Sequence, residues 1–125
     1  MKKGSSFKFL LLIISMYFLV GCNKPTDTAP SNMVQLFIPT AFTPNGDGIN
    51  DYFLIEAKPT LIYYHIKIYD NSNIKVYESS DYINTGWDGR TNDQPEPAGS
   101  YLWSIEYQAA GTSKYTQNGY VQLIR

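Results

Sequence analysis

Residues 62–77 read Ile62-Tyr63-Tyr64-His65-Ile66-Lys67-Ile68-Tyr69-Asp70-Asn71-Ser72-Asn73-Ile74-Lys75-Val76-Tyr77, and this run decides the fold. Ile62, Tyr64, Ile66 and Ile68 recur at every second residue, with Tyr63, His65, Lys67 and Tyr69 between them. A period of two places each set on its own face of an extended strand, and β-branched and aromatic side chains suit a pleated, half-buried surface. The turn-forming residues Asp70 to Asn73 then lead into Ile74–Tyr77, so the two segments are predicted to pair as a hairpin. His65 falls on the polar face, where an imidazole needs no ligand or catalytic role. Tyr63, Tyr69 and Tyr77 either brace neighbouring strands or offer an aromatic stripe to a glycan or protein partner.

The same period recurs on both sides of this run. Val34, Leu36 and Ile38 alternate with Gln35 and Phe37 before Pro39, and Phe53 to Ala57 offers a second strand ended by Lys58-Pro59. Tyr101, Trp103, Ile105 and Tyr107 alternate with Leu102, Ser104 and Glu106, after which Ala110-Gly111-Thr112 turns the chain toward Tyr115 and Gly119–Ile124 as a second hairpin. No stretch carries a capped apolar stripe of helical period. Eleven Tyr, six Phe, nine Gly and seven Pro in 125 residues agree with an all-β body. The expectation is an immunoglobulin-like antiparallel β-sandwich of about seven strands over residues 33–125. The usual cysteine pair is missing, so packing alone must hold the sheets together.

The N-terminal segment has a different composition. Lys2, Lys3 and Lys8 lie in a polar start, Phe9 to Val20 is apolar apart from Ser15, and Leu19-Val20-Gly21-Cys22 closes the run. Charge, apolar run and small residue come in the order of a signal peptide. About a dozen apolar residues fall short of the roughly 20 that span a bilayer, which disfavours a permanent transmembrane anchor. Residues 19–22 resemble the lipobox of bacterial lipoproteins, which implies removal of residues 1–21 and acylation of Cys22 as the mature N-terminus. Residues 22–32, with Pro25 and Pro30 among mostly polar neighbours, then form a tether of roughly 30 Å. The resulting expectation is a lipid-anchored protein of the cell envelope, at the outer membrane.

Charge and composition remove other classes. Ten basic and eleven acidic residues give a net charge of -1, and loss of Lys2, Lys3 and Lys8 leaves seven against eleven, so nothing draws the chain to nucleic acid. One Cys and one His exclude a Cys/His zinc site and an intrachain disulfide. No nucleophile elbow, phosphate loop or zincin helix occurs, and no small-molecule substrate suggests itself, so the chain is expected not to be an enzyme.

The loop Pro44-Asn45-Gly46-Asp47-Gly48-Ile49-Asn50-Asp51 concentrates oxygen-bearing side chains. Gly46 and Gly48 permit positive φ, while Asn45, Asp47, Asn50 and Asp51 could wrap a hard cation such as calcium or could close the loop on itself through Asx turns. The spacing is not that of an EF-hand, because Ile49 stands where an oxygen is needed and no Glu closes the loop. Calcium is therefore a candidate cofactor, with a self-satisfied turn as the alternative. Trp87-Asp88-Gly89 is expected to lay an indole over a sheet edge, with Asp88 and Gly89 reversing the chain.

Taken in order, several pieces carry a family resemblance. They are Ile38 to Asp51, Ile68-Tyr69-Asp70, Val76-Tyr77-Glu78, Trp87-Asp88-Gly89, Pro97-Ala98-Gly99-Ser100-Tyr101 and Gly119-Tyr120-Val121-Gln122-Leu123-Ile124-Arg125. Together they closely resemble the gliding-motility-associated C-terminal domain, the type B sorting domain of the type IX secretion system of Bacteroidota. The resemblance implies an immunoglobulin-like sandwich recognised by secretion or gliding proteins, and it marks Pro44, Gly46, Gly48, Trp87, Asp88, Gly89, Gly99, Tyr101, Gly119, Leu123 and Arg125 as motif residues. Two departures stand out. The domain follows a lipobox and a short tether in place of a passenger, and Asn71-Ser72-Asn73 replaces a turn that in the family often reads Asn-Arg-Trp-Gly. Two functions therefore compete: a recognition module for secretion or gliding machinery, and an anchored binding or structural module at the surface without a sorting role.

Overall fold

The computed structural model describes residues 33–83 and 86–125. The proposed signal peptide, Cys22 and the tether lie outside the described residues. Within them the secondary structure is all β: β1 (Gln35–Phe37), β2 (Ala41–Phe42), β3 (Glu56–Lys58), β4 (Leu61–Tyr69), β5 (Lys75–Ser79), β6 (Arg90–Thr91), β7 (Gln94–Pro95), β8 (Gly99–Ala109) and β9 (Tyr115–Leu123). The expected seven strands become nine because two of the connections make two-residue strands of their own.

One layer is a five-stranded sheet in the order β2-β9-β8-β4-β5. Both predicted hairpins are in it: β4 pairs antiparallel with β5, and β8 with β9 from Gly99↔Leu123 to Tyr107↔Tyr115. The facing layer is built from the β1–β3 ribbon, the β6–β7 ribbon and a bridge between Phe53 and Trp87. Phe53 to Ala57 is thus only partly strand, since regular pairing begins at Glu56. One pairing departs from the antiparallel expectation. β2 runs parallel to β9, because the N-terminal leg reaches the sheet edge travelling in the same direction as the last strand.

Alternation decides which side chains fill the space between the layers. Tyr64, Ile66 and Ile68 of β4 and Tyr101, Trp103, Ile105, Tyr107 and Ala109 of β8 point inward and meet Phe42, Phe53, Ile55, Ala57, Trp87, Val121 and Leu123. Among the described residues every buried hydrophobic one lies from Phe42 to Leu123, so the body carries a core of its own. Ile62, expected on the inner face, is instead 65% exposed. Leu61 pairs with Ala109 and Tyr63 with Gln108, so Ile62 is the extra residue of a bulge and is turned outward while Leu61 takes the inner place. A matching irregularity in β5, between Tyr69↔Lys75 and Ile68↔Tyr77, swings Val76 into the core.

The outer face of the sheet is polar and paired. His65 Nε2 lies 2.8 Å from Glu78 Oε1, and Lys75 also pairs with Glu78. Tyr63 donates to Glu106 Oε2 at 3.3 Å and has Lys114 Nζ 3.6 Å from its ring centroid. Tyr77 packs against the core, so Tyr63, Tyr69 and Tyr77 are half-buried bracing residues.

Candidate functional site

The C-terminal end of β9, the start of β8 and the end of β4 lie at one pole of the sandwich, because Gly99 pairs with Leu123 and Tyr69 with Leu102. The loops at this pole hold most of the residues singled out by the sequence.

The loop from Pro44 to Asp51 closes around Asp51. Its Oδ1 accepts N–H bonds from Asn45 at 3.0 Å and Gly46 at 2.7 Å, and its Oδ2 accepts from Gly48 at 2.7 Å. Asn45 Oδ1 accepts from the Asp47 amide, Asp47 Oδ1 from the Ile49 amide, and the Asn45 amide group donates to Asp47 Oδ2. Asn50 enters through its backbone, with φ 54° and its carbonyl accepting from Thr43 N–H. Positive φ at Gly46 and Gly48 turns successive amides toward one carboxylate, which is how a chain makes an anion cradle and here fills it itself. The amides of Gly46 and Gly48 hold the Asp51 carboxyl below the usual carboxylate range.

This geometry favours the closed turn over the cation site, since three amide protons already fill three of the roughly four acceptor positions of the Asp51 carboxylate. Thermal melting of the body in calcium and in chelator is expected to give one midpoint, whereas a bound ion at 100 times its dissociation constant would add about 2.7 kcal/mol. The same instrument reads the pH dependence. The folded value lies below the unfolded one, so Asp51 stabilises above roughly pH 4, and that contribution is lost as pH falls through the folded value. Asp51→Asn should flatten that acid limb.

Trp87, Gly89, Tyr101, Leu123 and Arg125 form the second part of the pole. Trp87 is fully buried, 5.4 Å from Phe42 and 4.8 Å from Tyr101 between ring centroids, and its Nε1 donates to Arg90 O at 2.9 Å. This corrects the expectation of an indole lying over a sheet edge: the bridge to Phe53 carries Trp87 between the layers. The reversal after it is as expected, with Arg90 N–H donating to Asp88 Oδ1 and Gly89 at φ 73°. A Cβ on Gly89 would stand 2.3 Å from Leu123 Cδ1 and 3.2 Å from Pro44 Cγ, so the two loops meet over this glycine. Tyr101 donates to Pro97 O at 2.7 Å and fixes the chain that enters β8. Gly119 has a different reason to be small: its Cβ would stand 2.5 Å from Trp103 Cζ2.

Arg125 closes the pole. Its Nε donates to Glu96 O at 2.9 Å and its Nη2 to Gly89 O at 2.8 Å, so one guanidinium spans both ends of the segment that contains β6 and β7. Beside this clasp, Asp70, Asn71 and Ser72 face Glu96, Pro97 and Tyr101 across a groove of ≈ 200 Å³. Asp70 Oδ1 accepts from the Ser72 and Ile74 amides and Asn73 adopts φ 62°, so the turn is closed by small polar groups. Two contributors escaped the reading of the sequence. The backbone carbonyls of Gly89 and Glu96 carry no side-chain signal, and Tyr82, whose hydroxyl donates to Ala57 O and accepts from Ala57 N–H, lies outside any alternating pattern. The first described residues lie at the opposite pole, where Met33 and Val34 line a pocket with Tyr107 and Tyr115.

These features define an all-β sandwich whose loop-rich pole is tied together by the Arg125 side chain. Residues 36–123 match the CHU_C type IX secretion signal domain, and the chain belongs to that family. It is therefore a sorting-signal-like module of a secreted or cell-envelope-associated protein. A comparison with curated proteins finds no match.

Proposed function

We propose that the chain is a non-enzymatic envelope lipoprotein, held at the outer membrane by acyl groups on Cys22, whose body is a recognition module for type IX secretion or gliding machinery. The observation that carries this reading is the polarity of the body. Met33 lies at one pole and the Arg125 clasp, the Pro44–Asp51 loop and the adjoining groove lie at the other, about eight β9 residues or roughly 26 Å away. An anchor attached before Met33 directs the motif-bearing pole away from the bilayer, where a protein partner can reach it.

A reporter carrying a cleavable signal peptide and followed by residues 33–125 should cross the outer membrane of a type IX-competent host and stay in the periplasm of a translocon-deficient one. Arg125→Ala removes one exposed and one part-buried hydrogen bond and leaves the core side chains in place, so the protein should stay folded while export falls. The second reading, an anchored binding or structural module without a sorting role, draws on the small polar Asn71-Ser72-Asn73 turn beside the groove. A folded reporter retained in the periplasm of the competent host would establish that second reading.

The anchor has its own test. Cys22→Ala should abolish incorporation of a fatty-acid analogue and release the protein from the membrane fraction. Several acyl carbons, each worth about 0.8 kcal/mol when buried, are lost together. Labelling that persists in the variant would remove the lipoprotein assignment.

A further inference from the structure

β9 is the outermost long strand of the main sheet, and among the described residues most of its outer edge has no strand neighbour. β2 covers only Gln122 and Leu123. Gln122 N–H donates to Thr40 O and Ile124 N–H to Phe42 O, so even-numbered residues turn their backbone groups away from β8. The alternation of an antiparallel ladder extends this to Thr116, Asn118 and Tyr120, whose N–H and C=O groups face outward along the open stretch. At the other side of the sheet β5 is shorter, and Thr91 Oγ1 of the facing layer donates to its Val76 O.

Edge strands are ordinarily guarded by charge, proline, bulges or brevity. Tyr115–Leu123 has none of these: it contains no Lys, Arg, Asp, Glu or Pro, runs for 9 residues, and pairs with β8 without a register shift. Thr116, Gln117, Asn118 and Tyr120 are all exposed. An edge of this kind is built to be paired.

We propose that the open edge of β9 is a dimerisation surface, on which a second copy of this chain adds its own β9 antiparallel about a two-fold axis at Gln117. A two-fold interface requires one patch to complement itself, and antiparallel pairing of two outward ladders meets that requirement through the backbone. Neutral side chains place no like charges opposite one another within the strand. The axis is fixed by β2. With Gln117 on the axis, Thr116 of one copy faces Asn118 of the other and Tyr120 faces Lys114, so pairing stops short of Gln122. Moving the axis to Asn118 would drive Lys114 against Thr40, which already holds the Gln122 amide. The resulting sheet runs continuously through both bodies and leaves the Arg125 pole of each uncovered.

The test uses residues 33–125, which contain the whole described core and no cysteine. Sedimentation at protein concentrations rising to the order of 100 µM should show the mass doubling. Gln117→Cys should form a disulfide dimer under mild oxidation, because a non-hydrogen-bonded antiparallel pair brings Cα atoms to roughly 4.5 Å. Ile49→Cys, exposed on the loop of the other pole, should not. The double change Thr116→Lys with Asn118→Lys sets like charges opposite each other and should weaken the dimer more than about tenfold at an unchanged melting temperature. Amide exchange at Thr116, Asn118 and Tyr120 in the unaltered protein should slow as concentration rises, which reads the edge without any variant. A body that stays monomeric throughout, a dimer indifferent to the lysine pair, or exchange at these amides that ignores concentration would each overturn the proposal.

Discussion

Trp87→Ala should cost the body about 3–5 kcal/mol, the loss typical of a fully buried aromatic side chain. Small domains hold only about 5–15 kcal/mol in total, so the variant should be partly unfolded at physiological temperature. The loss has two sources. Among the described residues the indole is the largest side chain with no exposed surface, and deleting it opens a cavity between Phe42 and Tyr101 that ring packing cannot refill without moving β2 or β8. Its Nε1 also satisfies Arg90 O at the start of the β6–β7 ribbon. Trp87→Phe separates the two contributions, since it keeps most of the apolar volume and loses the hydrogen bond; its loss should be intermediate. Urea denaturation with a ring-absorbance or circular-dichroism readout gives all three midpoints. Equal midpoints for Trp87→Ala and the unaltered body would show that the core does not depend on this residue. If sorting requires the folded body, export of a Trp87→Ala reporter should fall with its stability.

The two hairpins were legible because their pattern is local. Alternation over Tyr63–Tyr69 and Leu102–Tyr107, separated from their partners by Asp70–Asn73 and Ala110–Thr112, specifies both partner and register within a few residues. Ile62 belonged to the same alternation by type, yet the bulge at Leu61 and Tyr63 put it outside. A bulge is set by what the strand must meet at its end, here Ala109 at the close of β8, and that is not written in the strand itself. The Phe53–Ala57 segment shows the same limit: Phe53 is buried and bridged, but its partner Trp87 lies 34 residues away in sequence.

The site was legible as composition and obscure as geometry. Asn45, Asp47, Asn50 and Asp51 could be seen as oxygen donors sharing a loop, but whether they face an ion or one another depends on where the amides of Gly46 and Gly48 point. The local signal around Trp87 is that of its turn-forming neighbours Asp88 and Gly89, and it conceals a residue that holds the centre of the core. The role of Arg125 depends on carbonyls at Gly89 and Glu96, which lie far back in the chain and look the same as any others in sequence.

Gly89 is where these local and distant demands coincide, and its replacement gives the second large expected effect. Gly46, Gly48 and Gly89 all hold positive φ, at 79°, 84° and 73°. An L side chain in that region costs about 1–2 kcal/mol, so Gly46→Ala and Gly48→Ala, where a Cβ meets nothing within 4 Å, should lose roughly that much and no more. Gly89→Ala pays the same conformational cost and also drives a methyl to within 2.3 Å of Leu123 Cδ1. Leu123 is buried and paired with Gly99, so the clash cannot be relieved by a flexible tip swinging into solvent. Overpacking of this kind adds about 1–3 kcal/mol, which brings the expected total to about 2–5 kcal/mol. Asn tolerates positive φ better than Ala does, so Gly46→Asn should be close to neutral while Gly89→Asn stays severe. Leu123→Ala made together with Gly89→Ala should recover part of the loss, because the second change removes the atom that the new methyl strikes. Denaturation midpoints of the six variants decide the matter. A Gly89→Ala no weaker than Gly46→Ala would mean that Leu123 and the terminal Arg125 can move aside freely, and the pole would then be a set of independent loops joined by nothing that depends on this close approach.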